Sequence, residues 1–84
     1  MAIGNIQNID IFVAIDIEPV TPNDTVDLPN HARAIRAASG GTLRIKTYRG
    51  AVRNTRIGSG EILMVYASRI YATGTSATGL EALV

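Results

Sequence analysis

The sequence predicts an all-β protein: a small antiparallel β-sandwich or barrel of about five to seven strands in residues 20–84, with an extended N-terminal arm in residues 1–19. Turn-forming residues recur about every ten positions, and the apolar residues between them alternate with period two rather than with the helical period. Ile, Val, Leu and Ala dominate an apolar fraction of 46%, which is typical of a folded domain. Because 84 residues enclose a modest core, a partner or an oligomer is expected to add stability.

The arm is predicted to be a β-strand over residues 9–17. Its odd positions are all β-branched, whereas acidic residues fall only on even positions, so one face of the strand is apolar. Pro19 and Pro22 are predicted to end regular strand pairing. Residues 21–30 are then predicted to form a loop, since Asn and Asp in this stretch favour an Asx-type turn.

Three strands are predicted in the middle of the chain. Residues 31–39 and 42–49 are predicted to pair as a β-hairpin around a Gly40–Gly41 turn, because apolar and basic residues alternate in the second segment. A second turn at Gly50 leads into a short strand over residues 51–57. This short strand is unusually basic.

The last third of the chain is predicted to contain two strands joined by a bend. The longest apolar run, residues 62–72, is predicted to be one central strand that is buried on both faces near residues 63–65. The Thr- and Gly-rich residues 72–79 are predicted to bend, because glycine supplies the backbone freedom that a bend needs. Residues 80–84 are predicted to be the final strand, with the even-numbered side chains on one face.

Charge is divided unevenly along the chain, although the formal net charge is only +1. Residues 1–30 contain five acidic and no basic side chains, whereas residues 31–84 contain all eight basic side chains and two acidic ones. Such asymmetry is typical of a nucleic-acid face, an acidic arm, or subunits that attract one another head to tail. We expect the arm to add a strand to a neighbouring copy and its carboxylates to face arginines of that copy. The predicted interface consists of Ile11, Val13, Ile15, Ile17, Asp16, Glu18, Arg44, Lys46, Arg53 and Arg56.

No pattern points to catalysis, a cofactor or a metal. His31 is the only histidine, and we expect it to be a surface or loop-packing residue, because a catalytic base needs an orienting partner. Asp16, Glu18, Asp24 and Asp27 lack the ligand order of an EF-hand, which favours turn formation and solvated charge. With no cysteine there is no thiolate zinc site and no disulfide. The Gly-rich turns lack a P-loop lysine, and no window approaches the roughly 18 apolar residues of a membrane span.

A small nucleic-acid-binding β-barrel is the alternative class. Arg44, Lys46 and Tyr48 are predicted to share one strand face, a combination that is found on sheets that bind single strands by charge and stacking. The few aromatic residues and the acidic first third of the chain count against this class. Nucleic acid is therefore not the expected partner.

The order of the motifs resembles that of the small head-spike base and capsid decoration family of tailed bacteriophages and gene transfer agents. The resemblance covers residues 20–83, and the terminal Ala-Thr-Gly-Thr-Ser-Ala-Thr-Gly is its most specific part. Met64 stands where the family pattern has proline, and the middle strand is more basic than that pattern. The positions that carry the resemblance are Thr21, Pro22, Asp24, Leu28, Pro29, Ala32 to Ala34, Gly40, Gly41, Gly60, Arg69 and Ala72 to Gly79.

The resemblance implies a non-enzymatic virion structural protein. It implies a homo-oligomer, with the five-fold symmetry of a ring at capsid vertices, which contacts the major capsid protein and carries a fibre or spike. Such a protein is made in the host cytoplasm and is located on the capsid surface. Two other locations in the particle remain open for the same structural class: the capsid lattice, for a cement protein, and the tail or neck.

Overall fold

The computed structural model of the protein describes residues 14–84, and residues 1–13 of the predicted arm lie outside the described residues. The described residues form seven β-strands and no helix, which confirms the predicted all-β class. The strands are β1 (Ile17–Pro19), β2 (Ala34–Ser39), β3 (Gly41–Thr47), β4 (Val52–Ile57), β5 (Ile62–Leu63), β6 (Ala67–Ile70) and β7 (Thr78–Leu83). Within residues 14–84 no helix is long and apolar enough to cross a membrane.

The strands form two antiparallel sheets that enclose one core. The four-stranded sheet has the order β1-β7-β2-β5, and the three-stranded sheet has the order β4-β3-β6. Ile35 of the first sheet and Leu43 and Ile70 of the second are the largest fully buried side chains, and they belong to the same apolar cluster. Two sheets that share a core between them form a sandwich, so of the two predicted architectures the sandwich is the observed one.

The predicted hairpin around Gly40 and Gly41 is wrong, because β2 and β3 lie in different sheets. The chain instead turns a corner here and passes from one layer of the sandwich to the other. A Cβ atom on Gly40 would lie 2.6 Å from the carbonyl oxygen of Ile57, and one on Gly41 would lie 2.5 Å from Ser76 Oγ. The two glycines are thus required by close backbone approach at the corner and not by a tight hairpin turn.

The single long strand predicted over residues 62–72 is also wrong. The run divides into β5 in the four-stranded sheet and β6 in the three-stranded sheet. Between them Met64 is 75% exposed, and the residues predicted to be buried on both faces, 63–65, are exposed or half-buried. A two-layer sandwich buries only one face of each sheet, so a run that is apolar on both faces reaches the core only where its own sheet is covered.

The closing strand β7 is confirmed, and it lies between β1 and β2 in the four-stranded sheet. Leu80, Ala82 and Val84 are buried on one face, as predicted. The preceding Thr- and Gly-rich stretch is a bend, in which Gly74 and Gly79 have φ values of 93° and 64°. No helix follows this bend among the described residues, so its amides do not form a helix N-terminus.

The described part of the predicted arm lies in the protein's own sheet. Ile17 of β1 pairs with Leu83, and the Val84 amide donates a 2.9 Å hydrogen bond to the Asp16 carbonyl oxygen. Pro19, predicted to end regular pairing, is the last residue of β1, so the regular ladder does end there. The neighbouring Val20 amide bonds to Leu80, so the nitrogen of Pro19 points away from β7 and no ladder bond is lost.

Candidate functional site

Four basic residues of the predicted interface come together on one hairpin. The basic hairpin consists of β3, β4 and the turn between them, and it carries Arg44 and Lys46 on β3 and Arg53 and Arg56 on β4. The turn forms as predicted, because the Gly50 amide donates to the Thr47 carbonyl oxygen at 2.8 Å and Gly50 has a φ of 88°.

Strand β4 projects beyond the core. Arg53 and Thr55 lie opposite the buried Ile45 and Leu43 in the β3–β4 ladder, so they are on the core-facing side of the sheet. Both are nevertheless exposed, as is every residue of β4 before Ile57. The four-stranded sheet therefore does not cover this strand, and β4 is exposed on both faces.

Arg44 is the most restrained of the four cations. Its guanidinium carbon lies 5.3 Å from the centre of the Tyr71 ring, and the ring is also approached by Arg69 at 5.6 Å. The Arg44 stem packs against Gly74, where an added Cβ would lie 3.1 Å from Arg44 Cδ. Its Nε atom is buried without a hydrogen-bond partner among the described residues. Arg44 thus combines a cation–π contact with a packing role, whereas Arg53 and Arg56 are exposed.

The acidic residues of the loop at residues 21–30 form hydrogen bonds and an ion pair within the domain. Asp24 accepts hydrogen bonds from the Thr73 amide at 2.9 Å and from the Thr73 hydroxyl at 2.7 Å. These bonds hold the pKa of the Asp24 carboxyl below its ordinary value of 3.8. Asp27 pairs with Arg69 at 2.8 Å, and Arg69 also donates to the Asp24 carbonyl oxygen at 3.2 Å. The loop is therefore held by β6, through Arg69, and by the segment that follows β6, through Thr73.

The acidic residues of the predicted interface lie on the opposite sheet from the basic hairpin. Asp16 accepts a 2.8 Å hydrogen bond from the Ile17 amide, and Glu18 accepts one of 2.8 Å from the Asn30 side chain. Ile15 and Ile17 beside them are 71% and 58% exposed. The structure thus separates the described interface residues into an acidic, apolar edge at β1 and the basic hairpin.

No ion pair joins these two groups within residues 14–84. The ion pairs found there connect Arg36 to Glu81 at 3.0 Å and Arg69 to Asp27 at 2.8 Å. The two pairs lie outside the predicted interface residues. Ile11 and Val13, the remaining two residues of that interface, precede the described part of the chain.

An exposed aromatic cluster was missed by the sequence prediction. The Tyr48 and Tyr66 rings stack with centroids 4.8 Å apart, and His31 packs edge-on against both rings at 5.8 and 6.0 Å. All three side chains are exposed, which agrees with the surface role expected for His31. The three residues come from a loop, the β3–β4 turn and the connection between β5 and β6, so no local sequence signal connects them.

The described residues have surfaces, rather than a constellation of reactive groups, as their distinctive features. No group of three His, Asp or Glu side chains within residues 14–84 is placed to hold a metal ion. What stands out is a small β-sandwich with a projecting basic strand, an exposed aromatic cluster and exposed aliphatic residues. These features define a class of small β-domain whose exposed basic, aromatic and aliphatic side chains are its most distinctive groups.

Comparison with known proteins assigns the family. No family model and no curated protein matches the sequence. A solved structure described as the capsid of a native gene transfer agent (GTA) particle, computed with C5 symmetry, contains a chain with a TM-score of 0.77 and 37% sequence identity. The match covers 84% of this chain and 83% of that chain. The chain therefore belongs to a family of phage-like capsid-associated proteins. This confirms the part of the predicted resemblance that concerns phage-like capsids.

Proposed function

We propose that the protein is a non-enzymatic virion structural protein that forms an oligomeric spike base at capsid vertices, decorates the head and anchors a fibre. The observation that carries this proposal is the match to a chain of a gene transfer agent capsid over most of both chains. The proposed partners are further copies of the chain, the major capsid protein and a fibre or spike protein. The proposed location is the capsid surface, after synthesis in the host cytoplasm.

Two observations support an oligomer at a symmetric position. The capsid of the matching structure was computed with C5 symmetry, which is the symmetry of a pentameric ring. The described chain also exposes large apolar side chains, among them Ile15, Ile17, Met64 and Tyr48. Exposed aromatic and methionine side chains are enriched at protein–protein interfaces, so these positions favour contacts with other subunits.

The proposed contact between copies joins the acidic edge at β1 to the basic hairpin. Asp16, Glu18, Ile15 and Ile17 supply one side, and residues 1–13 precede this edge in the chain. Charge complementarity of this kind fixes orientation and register more than it raises affinity. Because the two sides are different surfaces of one chain, the contact is head to tail and is able to close into a ring.

The decisive experiment is imaging of purified particles that carry the chain. Density for the chain confined to the five-fold vertices is the expected result, and particles from a strain lacking the gene are expected to lack that density. Density spread over the capsid faces would instead identify a cement protein, and density on the tail or neck would identify a component of that part of the particle. Either of the last two results would overturn the spike-base proposal.

Nucleic-acid binding is the second candidate, and the basic hairpin favours it. Arg53 and Arg56 are exposed and form no ion pair within residues 14–84, and the Tyr48 ring is exposed in the turn of the same hairpin. Labelled oligonucleotide binding at low and high salt tests this candidate, because affinity that depends on phosphate contacts falls steeply with salt. Absence of binding at low salt would eliminate it.

A further inference from the structure

Strand β4 is the one long sheet edge that residues 14–84 leave uncovered. The outer strands of the two sheets are β1, β5, β4 and β6. Strand β5 has two residues, and β1 has three and ends in Pro19, which has no amide hydrogen to offer. The outer edge of β6 is covered by the loop at residues 21–30. The Asn23 amide donates to the Ile70 carbonyl oxygen and the Leu28 amide donates to the Ser68 carbonyl oxygen, each at 2.9 Å.

Hydrogen bonding in β3 shows which backbone groups of β4 are available. The Arg44 carbonyl oxygen accepts from the Tyr71 amide at 2.9 Å, and the Thr42 carbonyl oxygen accepts from the Ser76 amide at 3.0 Å. Even-numbered residues of β3 therefore point their backbone groups away from β4, and Leu43 and Ile45 point theirs toward it.

The same alternation applies to β4 itself. Thr55 and Arg53 lie opposite Leu43 and Ile45, so they exchange the ladder bonds with β3. The amides and carbonyls of Val52, Asn54 and Arg56 then point outward. They form a row of donors and acceptors for one further strand.

Natural proteins protect such edges with short strands, prolines, bulges or charged side chains. Strand β4 has six residues and no proline, and its protection consists of Arg53 and Arg56. Positive side chains repel another basic edge, but they attract an acidic strand. The edge is therefore selective for a partner strand of negative charge rather than closed to all strands.

We propose that β4 accepts residues 8–13 of a second copy of this chain as an added β-strand. This segment reads Asn-Ile-Asp-Ile-Phe-Val, with aliphatic residues at odd positions, an acidic residue at Asp10 and no basic residue. Its length matches the six residues of β4, and it immediately precedes Ala14, where the described chain begins. Main-chain bonds give affinity in this mode of recognition, and the side chains give register.

The inference rests on the proposed oligomer and specifies how its copies are joined. The donor segment directly precedes Ala14 in the chain, close to β1 at the edge of the four-stranded sheet, whereas the acceptor is the edge of the three-stranded sheet. Each copy thus offers one donor and one acceptor at different places. Donor and acceptor are therefore different surfaces, and repeated head-to-tail pairing of copies is able to close into a ring.

The test uses full-length variants that disable each side separately. Asn54→Pro removes an outward amide of β4 and leaves the ladder bonds to β3 intact, and Asn54→Thr is its matched control, with the outward amide retained. Ile9→Pro combined with Phe12→Pro disables the donor in either register. Circular dichroism and thermal melting confirm that every variant is folded.

Native mass is then measured by light scattering over a range of concentrations. Wild type and Asn54→Thr are expected to self-associate, whereas Asn54→Pro and the donor variant are each expected to dissociate at least about tenfold more readily, because a main-chain bond is lost and the incoming strand is obstructed. Mixing the two disabled variants is expected to give a one-to-one dimer, since each supplies the side that the other lacks.

Three results would overturn the inference: a monomeric wild type, self-association of Asn54→Pro equal to that of Asn54→Thr, or a mixture of the disabled variants that stays monomeric. A monomeric wild type would show that the segment does not join copies. These outcomes are separate from the particle images, since a vertex location with an intact Asn54→Pro oligomer would leave the proposed function standing while removing the β4 contact.

Discussion

The acidic loop, residues 21–30 with Asp24 and Asp27, and the basic hairpin of this small protein use their charges in opposite ways. In the loop, Asp24 is bonded to Thr73, and Asp27 is paired with Arg69. In the basic hairpin, Arg53 and Arg56 are exposed and lack an ion-pair partner among residues 14–84. The two regions carry charges of opposite sign, yet no ion pair joins them within residues 14–84.

The difference separates charges that hold the fold from charges that remain available. Carboxylates that accept hydrogen bonds from backbone amides fix a loop and lose much of their freedom to serve a partner. Exposed arginines on an overhanging strand contribute little to the stability of a single chain. They retain their full capacity to attract an acidic surface, and the proposed contact between copies lies at the hairpin for that reason.

The largest expected effect comes from the core that supports both regions. Leu43 is fully buried between the sheets, and we expect Leu43→Ala to lower the free energy of unfolding by about 2 to 5 kcal/mol through lost burial and a cavity. Met64→Ala is the control, because Met64 is 75% exposed and its loss should cost less than about 0.5 kcal/mol. Equal urea midpoints for the two variants would contradict a single shared core.

The next effect compares one arginine from each region. We expect Arg69→Gln to lower the free energy of unfolding by about 1 to 2 kcal/mol, since it removes a charge-assisted bond to the half-exposed Asp27 and contacts to the Asp24 backbone and Tyr71. Urea unfolding at pH 7 measures this loss. Arg53→Gln, the matched change in the hairpin, is the reference, and a loss of the same size there would refute the contrast between the two regions.

A smaller effect is confined to acid pH. The hydrogen bonds from Thr73 lower the pKa of Asp24 in the folded state, so their contribution is complete above the ordinary value of 3.8 and is lost as pH falls through the lower folded value. We expect Asp24→Asn to be less stable than wild type at pH 7. The difference in stability should shrink as the pH falls below 3.8 and through the lower pKa of the folded state. Unfolding in urea at several pH values measures the difference.

Thr73→Val provides the control for this pH dependence. It removes the hydroxyl donor to Asp24 but keeps the backbone amide, so the gap between wild type and Asp24→Asn is expected to shrink when it is measured in the Thr73→Val background. A gap that stays constant from neutral to acid pH would show that Asp24 acts without its charge.

The smallest expected effect is that of removing the available charges. We expect Arg53→Gln combined with Arg56→Gln to change the free energy of unfolding by less than about 0.5 kcal/mol, because neither side chain has a partner to lose within the described chain. Thermal melts at low protein concentration, where self-association is suppressed, measure this. A loss above about 1 kcal/mol would indicate an internal partner for the hairpin cations.

Alternation and turn chemistry predicted much of the local structure. The sequence correctly indicates β3, β4 and β7, the turn at Gly50 and the bend before β7, since each depends on neighbouring residues and on side chains that alternate between two faces. The wrongly predicted hairpin and the wrongly predicted long strand share one cause. The chain changes sheets at Gly40 and again between β5 and β6, and a crossing between layers has no periodic signature of its own.

The candidate site shows the same division. Sequence reasoning grouped Arg44, Lys46, Arg53 and Arg56, and β3 and β4 do bring them together because a hairpin joins neighbours in the chain. The stacked tyrosines and His31 were not predicted as a group, because these residues meet only when a loop, the β3–β4 turn and the β5–β6 connection pack at one place.

The sequence by itself determined the β class, the alternation of strand faces, the separation of charge and the terminal motif that resembles the spike-base family. Tertiary structure alone decided that β2 and β3 belong to different sheets, that the acidic loop satisfies its carboxylates internally and that residues 14–84 leave β4 uncovered. The physical reason is range. Propensity and alternation act over a few residues, whereas sheet order, burial and charge pairing depend on contacts between segments that are distant in the chain.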